Sequence, residues 1–307
     1  SSRPVDAAAN PVRGILLMIL SVLLFTGMDG LVKWVAQWHP TGQIVFFRNL
    51  LAFLPIALFV RRSGGLAVLR TSRIGGHMLR GAAGMAAMVC FFAAYAMMPL
   101  GDVVAIAMSG PIFMTALSVP LLGERVGRRR WTAVVIGFLG VLVMTRPGAG
   151  VLDPGALLAL SGAVFYALAM VAIRKLSRHE HPTTIVFYFT LFSTVVSGAS
   201  LPFGQWVTPA GWVELGMLVA IGLIGGFAQF AMTHAFRLAP VAIVAPFDYL
   251  AVVFAMGLGY LVWGDVPDFW IVTGAAIVIG SGLYILHRET VLARQRQAQA
   301  EAGRADS

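Results

Sequence analysis

Residues 14–35 read GILLMILSVLLFTGMDGLVKWV, and in this run only Asp29 and Lys33 carry charge. A helix of that length rises about 33 Å, enough to cross a hydrocarbon core of about 30 Å. The run does not alternate polar and apolar residues as a barrel strand would, and it lacks the broad charged face of an amphipathic surface helix. It is therefore read as a transmembrane helix. The same windowed reading finds further spans at 43–60, 81–98, 103–122, 131–145, 155–176, 183–204, 212–236, 241–263 and 269–287. The fold expected is an all-α integral membrane protein with ten transmembrane helices.

Composition agrees with that reading. Of 307 residues, 59% are hydrophobic and 11% charged, whereas a soluble domain carries about 25% charged residues. Soluble enzyme classes are excluded. The single cysteine, Cys90, lies in an apolar run, so there is no disulfide framework, thiolate metal site or redox pair. No cofactor and no metal site are read from the chain.

The net charge of +9 reports orientation, because cytoplasmic loops of membrane proteins collect Lys and Arg. With the N-terminus inside, nineteen of the 22 basic residues fall in cytoplasmic segments, including Arg61, Arg62, Arg70, Arg73 and Arg80, Arg125 and Arg128–Arg130, and Arg174, Lys175 and Arg178. Lys33 and Arg146 fall outside, and Arg48 lies within a span. Both termini are expected in the cytoplasm. Basic residues scattered over short loops do not form a nucleic-acid surface. Residues 1–10 lack the regions of a signal peptide, and the Arg/Gln/Ala-rich stretch after Glu289 is expected as a frayed helix or a disordered tail.

Laid on itself at an offset of 141 residues, the chain matches Gly14 with Gly155, Ile44-Val45-Phe46 with Ile185-Val186-Phe187, and Gly75, Gly81 and Gly84 with Gly216, Gly222 and Gly225. The match continues with Pro99 on Pro240, Gly123-Glu124 on Gly264-Asp265, and Thr132 on Thr273. Glycine and proline mark backbone geometry, so their coincidence signals duplication and not shared hydrophobicity. The copies occupy 14–147 and 155–288, with cytoplasmic tails at 1–13 and 289–307. Each has five spans, and an odd number threads the second copy through the membrane in the opposite sense. Pro267 and Asp268 follow the second Gly-acid pair where four arginines follow the first. Inverted repeats are characteristic of secondary transporters, which hold their solute near the midplane and rock one half against the other.

The chain resembles the EamA family of the drug/metabolite transporter superfamily over residues 14–287. The resemblance rests on Leu122-Gly123-Glu124-Arg125 ahead of Trp131-Thr132-Ala133-Val134-Val135-Ile136-Gly137, on Phe47-Arg48, and on the run from Tyr166 to Lys175. The second repeat departs from the pattern with Asp265 where the family often has Glu. The resemblance implies two inverted five-helix EamA repeats around a central cavity, with spans one to four and six to nine lining it and spans five and ten peripheral. It also implies a metabolite transporter, commonly an exporter. Family branches move aromatic and neutral amino acids, S-adenosylmethionine, nucleotide sugars or organic acids.

Charges inside a membrane cost roughly 2.5–3.5 kcal/mol on insertion scales, so each is a functional candidate. Asp29 and Arg48 lie at similar depth. One reading pairs Asp29 with Arg48 or with Lys33 as a structural lock. The other makes Arg48 a carboxylate anchor through its planar fork, with Asp29 as orienter or proton carrier. Asp248, two residues after Pro246, is a candidate partner for an ammonium group. The substrate-binding candidates are Arg48, Asp29, Phe91, Tyr95, Ser109, Tyr166, Gln229, Phe230 and Asp248, an aromatic wall with few polar groups. Gating candidates are Gly81, Gly84, Gly222 and Gly225, which permit close helix approach, and Pro111 and Pro246, which free carbonyls and bend helices. Phosphate would need clustered cations, and the sequence reading finds Arg48 alone in the interior. His77 and His234, near the cytoplasmic membrane boundary, are read as interfacial with proton sensing as the alternative, and the tryptophans at span ends as interfacial anchors.

These readings converge on a bacterial-type inner-membrane exporter of amino acids, aromatic or neutral, such as threonine or methionine, or of related metabolites. Its partners are a small-molecule solute and the lipid bilayer, as monomer or homodimer, without nucleic acid. The alternatives are transport of S-adenosylmethionine, an organic acid or a nucleotide sugar. An intramembrane enzyme acting on a lipid-linked substrate would need converging carboxylates, histidines or a metal, which the interior does not supply.

Overall fold

The computed structural model describes residues 11–62, 65–123, 127–145, 153–177, 179–238 and 241–305. Glu124, Arg125, Arg146, Arg178 and Pro240 lie outside the described residues.

The described chain is helical: α1 (Pro11–Val35), α2 (Thr41–Arg62), α3 (Ile74–Met97), α4 (Leu100–Ala107), α5 (Gly110–Leu122), α6 (Arg128–Thr145), α7 (Pro154–Leu176), α8 (Pro182–Ser200), α9 (Trp212–Leu238), α10 (Val241–Val244), α11 (Leu250–Trp263) and α12 (Phe269–Ala305). Nine of its spans are long and apolar enough to cross a bilayer, and α6 adds a shorter apolar stretch at Trp131–Thr145. The fourth span is broken between α4 and α5 at Met108-Ser109, and the helix restarts with Pro111 in its first turn. The ninth is interrupted at the corresponding height by a 3-10 segment, Ala245–Tyr249, which opens on Pro246. Proline lacks the N–H that would continue a helix and is tolerated in a first turn, so both residues sit where a break costs least.

The two halves meet as duplicated halves should. α1 packs along α9 as α7 packs along α3, α2 meets α9 as α8 meets α3, and α1 meets α11 as α7 meets α5. α2 pairs with its own counterpart α8, and α6 with its counterpart α12. Single contacts repeat too: a Cβ on Gly140 would lie 3.0 Å from the Gly274 carbonyl oxygen, and at the equivalent place Ser281 Oγ donates to the Ala133 carbonyl at 2.7 Å. Gly123 and Gly264, at φ 67° and 72°, end α5 and α11 in the left-handed conformation that glycine adopts without a Cβ penalty.

A core of Met28, Val32, Ile44, Val45, Leu100, Ile106, Leu218 and Ile221 fills the centre. Large apolar side chains such as Leu16, Leu139, Val195 and Leu261 stay exposed on the outside, as a lipid-facing surface requires.

Three sequence expectations change. The third span begins at Ile74, well before the apolar window, so Arg80 stands inside α3 and not in a loop. α12 runs continuously to Ala305, which narrows the expected frayed or disordered tail to a helix. Its Arg/Gln/Ala composition has high intrinsic helix propensity and lets it continue beyond the span. Trp263 turns inward: its indole Nε1 is buried and its ring lies 6.0 Å from that of Trp34.

Candidate functional site

α2, α3, α8 and α9 enclose a cleft of about 140 Å³, or about 800 Å³ counting its open mouth. From Arg48 it runs along α2 past Ala52 and Pro55 to Ile56, and it reaches the exposed start of α8 at Pro182. Apolar wall is supplied by Ala52, Val186 and Phe189, and polar groups by Thr183, Thr190, Gln229 and Thr233.

Arg48 is held at one end. Its Nη1 donates to Asn49 Oδ1 at 3.1 Å, and Asn49 is itself fixed by donating Nδ2 to the Val45 carbonyl at 2.8 Å. Asn49 is fully buried, so the fork is oriented from behind. Arg48 Nε is buried and has no protein hydrogen-bond partner. Gly225 faces it, with the Cβ position 3.6 Å from Arg48 Nε and 2.7 Å from Met28 Sδ. A side chain at 225 would therefore crowd the guanidinium's side.

Arg80 is the second cation in this cleft. Its guanidinium stacks on Phe189 at 4.0 Å from the ring centroid, a cation–π contact in a desolvated place. Its Nε and Nη1 are buried without partners. A Cβ on Gly84 would fall on Arg80 Nη1, so the absent side chain is what seats the head. The expectation of a single interior cation is thereby corrected. Apolar-window averaging, which began the third span at Gly81, hid the residue. A signal was nevertheless present: the repeat offset sets Arg80 opposite Ile221, a fully buried position of α9.

Asp29 is an electrostatic neighbour of Arg48, and the Tyr95 hydroxyl faces its carboxylate. Among the described residues the ion pairs within 4 Å are Lys33–Asp265, His39–Glu214 and His77–Glu180. Asp29 and Arg48 do not close one, and Lys33 pairs with Asp265 at 3.6 Å, not with Asp29. The interior lock expected from the sequence is thus replaced by a looser arrangement around Arg48.

Tyr166 and Asp248 are enclosed by protein and yet keep bare surface, Tyr166 being 41% exposed. Side chains lining an internal space behave this way. Tyr166 has both Asp248 and Arg80 as electrostatic neighbours, which brings the ninth span's break towards the arginines. Gln229 lines the cleft directly. The other candidates are placed differently. Phe91 packs on Gly162 of α7, Phe230 stacks on His234 at 4.2 Å between centroids, and Ser109 turns its hydroxyl back to the Ile106 carbonyl at 2.6 Å. Gly81 and Gly222 allow close approach: a Cβ would lie 2.7 Å from Phe192 Cγ at the first and 2.7 Å from the Phe47 carbonyl oxygen at the second. His77, in the first turn of α3, is fully buried in the protein, 3.7 Å from Glu180 and with its ring centroid 4.7 Å from that of Tyr188.

The opposite end of the molecule is shut. Lys33 Nζ donates to the Met98 carbonyl at 2.8 Å, meets Asp265, and lies 5.3 Å from the Trp263 ring centre. Beside it His39 bridges Gln43 Oε1 and Glu214 Oε2, each at 3.2 Å. Gln43 in turn clips the loop before α9 by exchanging hydrogen bonds with Val207, 2.9 Å to its carbonyl and 3.0 Å from its N–H. A cleft open at one end and latched at the other is a transport geometry.

Comparison with known proteins agrees. The sequence profile of the EamA-like transporter family matches residues 12–146 and again 153–286. The pseudopaline exporter CntI of Pseudomonas aeruginosa is 36% identical over 269 residues, 87% of this chain and 93% of its own. The riboflavin transporter of Vibrio cholerae is 28% identical, covering 94% of this chain and 97% of its own. The S-adenosylmethionine uptake transporter of Rickettsia prowazekii is also 28% identical, covering 92% and 96%. A solved crystal structure superposes with a TM-score of 0.62 at 19% identity, over 92% of this chain and 98% of the other, and shows the shared fold. Latched at one end, open at the other and doubled in sequence, the chain belongs to the EamA-like transporter family and is a multi-pass membrane transporter of small molecules.

Proposed function

We propose that this transporter exports amino acids or closely related carboxylate-bearing metabolites across a bacterial inner membrane. It works by alternating access between two inverted halves, with both termini in the cytoplasm. The observation that carries the solute class is Arg48: a guanidinium fixed from behind by Asn49, with a buried Nε left unpartnered at the end of a largely apolar cleft. Planar N–H forks match carboxylates, and the apolar wall suits a small amphipathic body. Asp248, which shares Tyr166 as a neighbour with Arg80, is the acid assigned to the amine of such a solute. The skew of basic residues supports orientation with the cleft mouth on the cytoplasmic side. Export is supported by the 36% identity to an exporter.

Transport of S-adenosylmethionine is the second reading. Two acids near the cavity suit a cationic solute, and a 28% identical relative carries that name.

Proteoliposomes loaded with labelled methionine, threonine or phenylalanine test the proposal. Counterflow of at least one, abolished in Arg48→Ala, is the expected result. No flux of any of the three beside robust flux of S-adenosylmethionine overturns it.

A further inference from the structure

Arg80 has no part in the single-anchor reading above, and its environment is unusual. A buried cation without a partner is costly, because neither water nor a counter-ion replaces the hydration it lost. Most buried arginines are paired with carboxylates. Here the guanidinium rests on the Phe189 face at 4.0 Å, its Nε and Nη1 have no protein acceptor, and no carboxylate of the described residues comes within 4 Å. Its electrostatic neighbours are the Tyr166 hydroxyl and the like-charged Arg48. Both arginines line the same cleft.

Two cations that repel each other and both keep unused N–H donors are balanced when anionic oxygens arrive. One carboxylate on Arg48 leaves Arg80 unmatched. The rest of the wall, Ala52, Ile56 and Val186 with the hydroxyls of Thr183 and Thr190, offers no further cation for a polyphosphate. We propose that the cleft is built for a solute with two carboxylates, one on Arg48 and the second on Arg80, with Phe189 covering the opposite face of the Arg80 guanidinium. This rests on the carboxylate reading of Arg48 and narrows it to amino-dicarboxylates and their larger relatives.

The test is thermal stabilisation of the detergent-purified full-length protein, which reads binding through linkage. Glutamate and 2-aminoadipate are compared with glutamine and methionine, which keep the α-carboxylate alone, and with O-phosphoserine. Wild type is expected to bind the dicarboxylates about tenfold more tightly than the monocarboxylates, as one charge-assisted contact allows. Arg80→Gln, which keeps a donor and removes the charge, abolishes that ratio, and Arg80→Lys restores part of it. Gly84→Ala, which drives a methyl onto the Arg80 head, lowers the ratio without touching either arginine and serves if Arg80→Gln fails to fold.

An unchanged dicarboxylate to monocarboxylate ratio in folded Arg80→Gln overturns the proposal. Equal binding of both classes by wild type overturns it while leaving the Arg48 anchor standing. Binding of neither class removes the anchor reading as well. Tighter binding of O-phosphoserine than of glutamate replaces the second carboxylate with a phosphate.

Discussion

Gly222→Ala probes whether α2 and α9 touch through their backbones. A Cβ at this position would stand 2.7 Å from the Phe47 carbonyl oxygen and 2.6 Å from Leu51 Cβ. Neither atom is the far end of a flexible side chain, so the clash is relieved only by moving one helix from the other. Overpacking of this kind costs about 1–3 kcal/mol. The substitution also gains up to about 1 kcal/mol of helix propensity, which would blur the measurement. Gly216→Ala removes that ambiguity, because it lies on the same helix and nothing stands within 4 Å of its Cβ. The difference between the two variants isolates the packing term, about 1–3 kcal/mol. Melting of the purified proteins in detergent should place Gly222→Ala several degrees below Gly216→Ala, and Gly216→Ala at or above wild type. Equal melting of the two variants would refute the close backbone approach.

The closed end makes two further predictions. Lys33→Met removes both the bond to the Met98 carbonyl and the pairing with Asp265. Loss of about 1–1.5 kcal/mol from the closed state is roughly a tenfold population shift, so a cysteine placed at Gly42 should be labelled several-fold faster by an impermeant maleimide. An unchanged rate would show that the latch lies elsewhere. His39 sits between Glu214 and a Gln43 oxygen that already accepts the Val207 N–H. The ring thereby ties the start of α2 to the start of α9. His39→Phe removes both contacts and should speed maleimide labelling of the same cysteine at Gly42 several-fold, and an unchanged rate would show that the bridge does not hold this end shut.

The spans were legible because each needs about 20 apolar residues in a row, a signal that local irregularity does not erase. The duplication was legible through its glycines and prolines, and Gly123 and Gly264 show why: both close a helix at positive φ, a place where other residues are strained. The breaks at Pro111 and Pro246 followed from the missing N–H. Arg80 was not legible to hydropathy, because a window average assigns a lone charge near a span end to the loop. Its inclusion depends on a tertiary fact, the Gly84 vacancy and the Phe189 face supplied from α8. The distinction between cavity-facing and packing aromatics was equally hidden. Phe91 and Tyr166 occupy similar apolar contexts in sequence, and only the packing partners, Gly162 for one and the Asp248–Arg80 space for the other, separate them.

The repeat relation also says what rocking would do to the site. At the offset of 141, Gly84 beside Phe189 corresponds to Gly225 beside Arg48. Each half therefore has a glycine facing a planar side chain from the other half, a ring in one socket and a guanidinium in the other. If the two halves exchange conformations, the cleft that opens at the opposite end is lined by the counterparts of the present lining. Arg48 takes the place of Phe189 and remains in the wall, whereas the counterpart of Arg80 is Ile221. A solute held by both arginines in the present state would keep the first and lose the second on opening outward. Affinity would fall by the worth of one charge-assisted contact, which speeds release on the outer side, although net flux still follows the gradient. Both arginines come from the first repeat, while Phe189, Gly225 and Gln229 come from the second. An anion held in this way would travel with the first half, and the second would slide past it presenting mostly neutral surface.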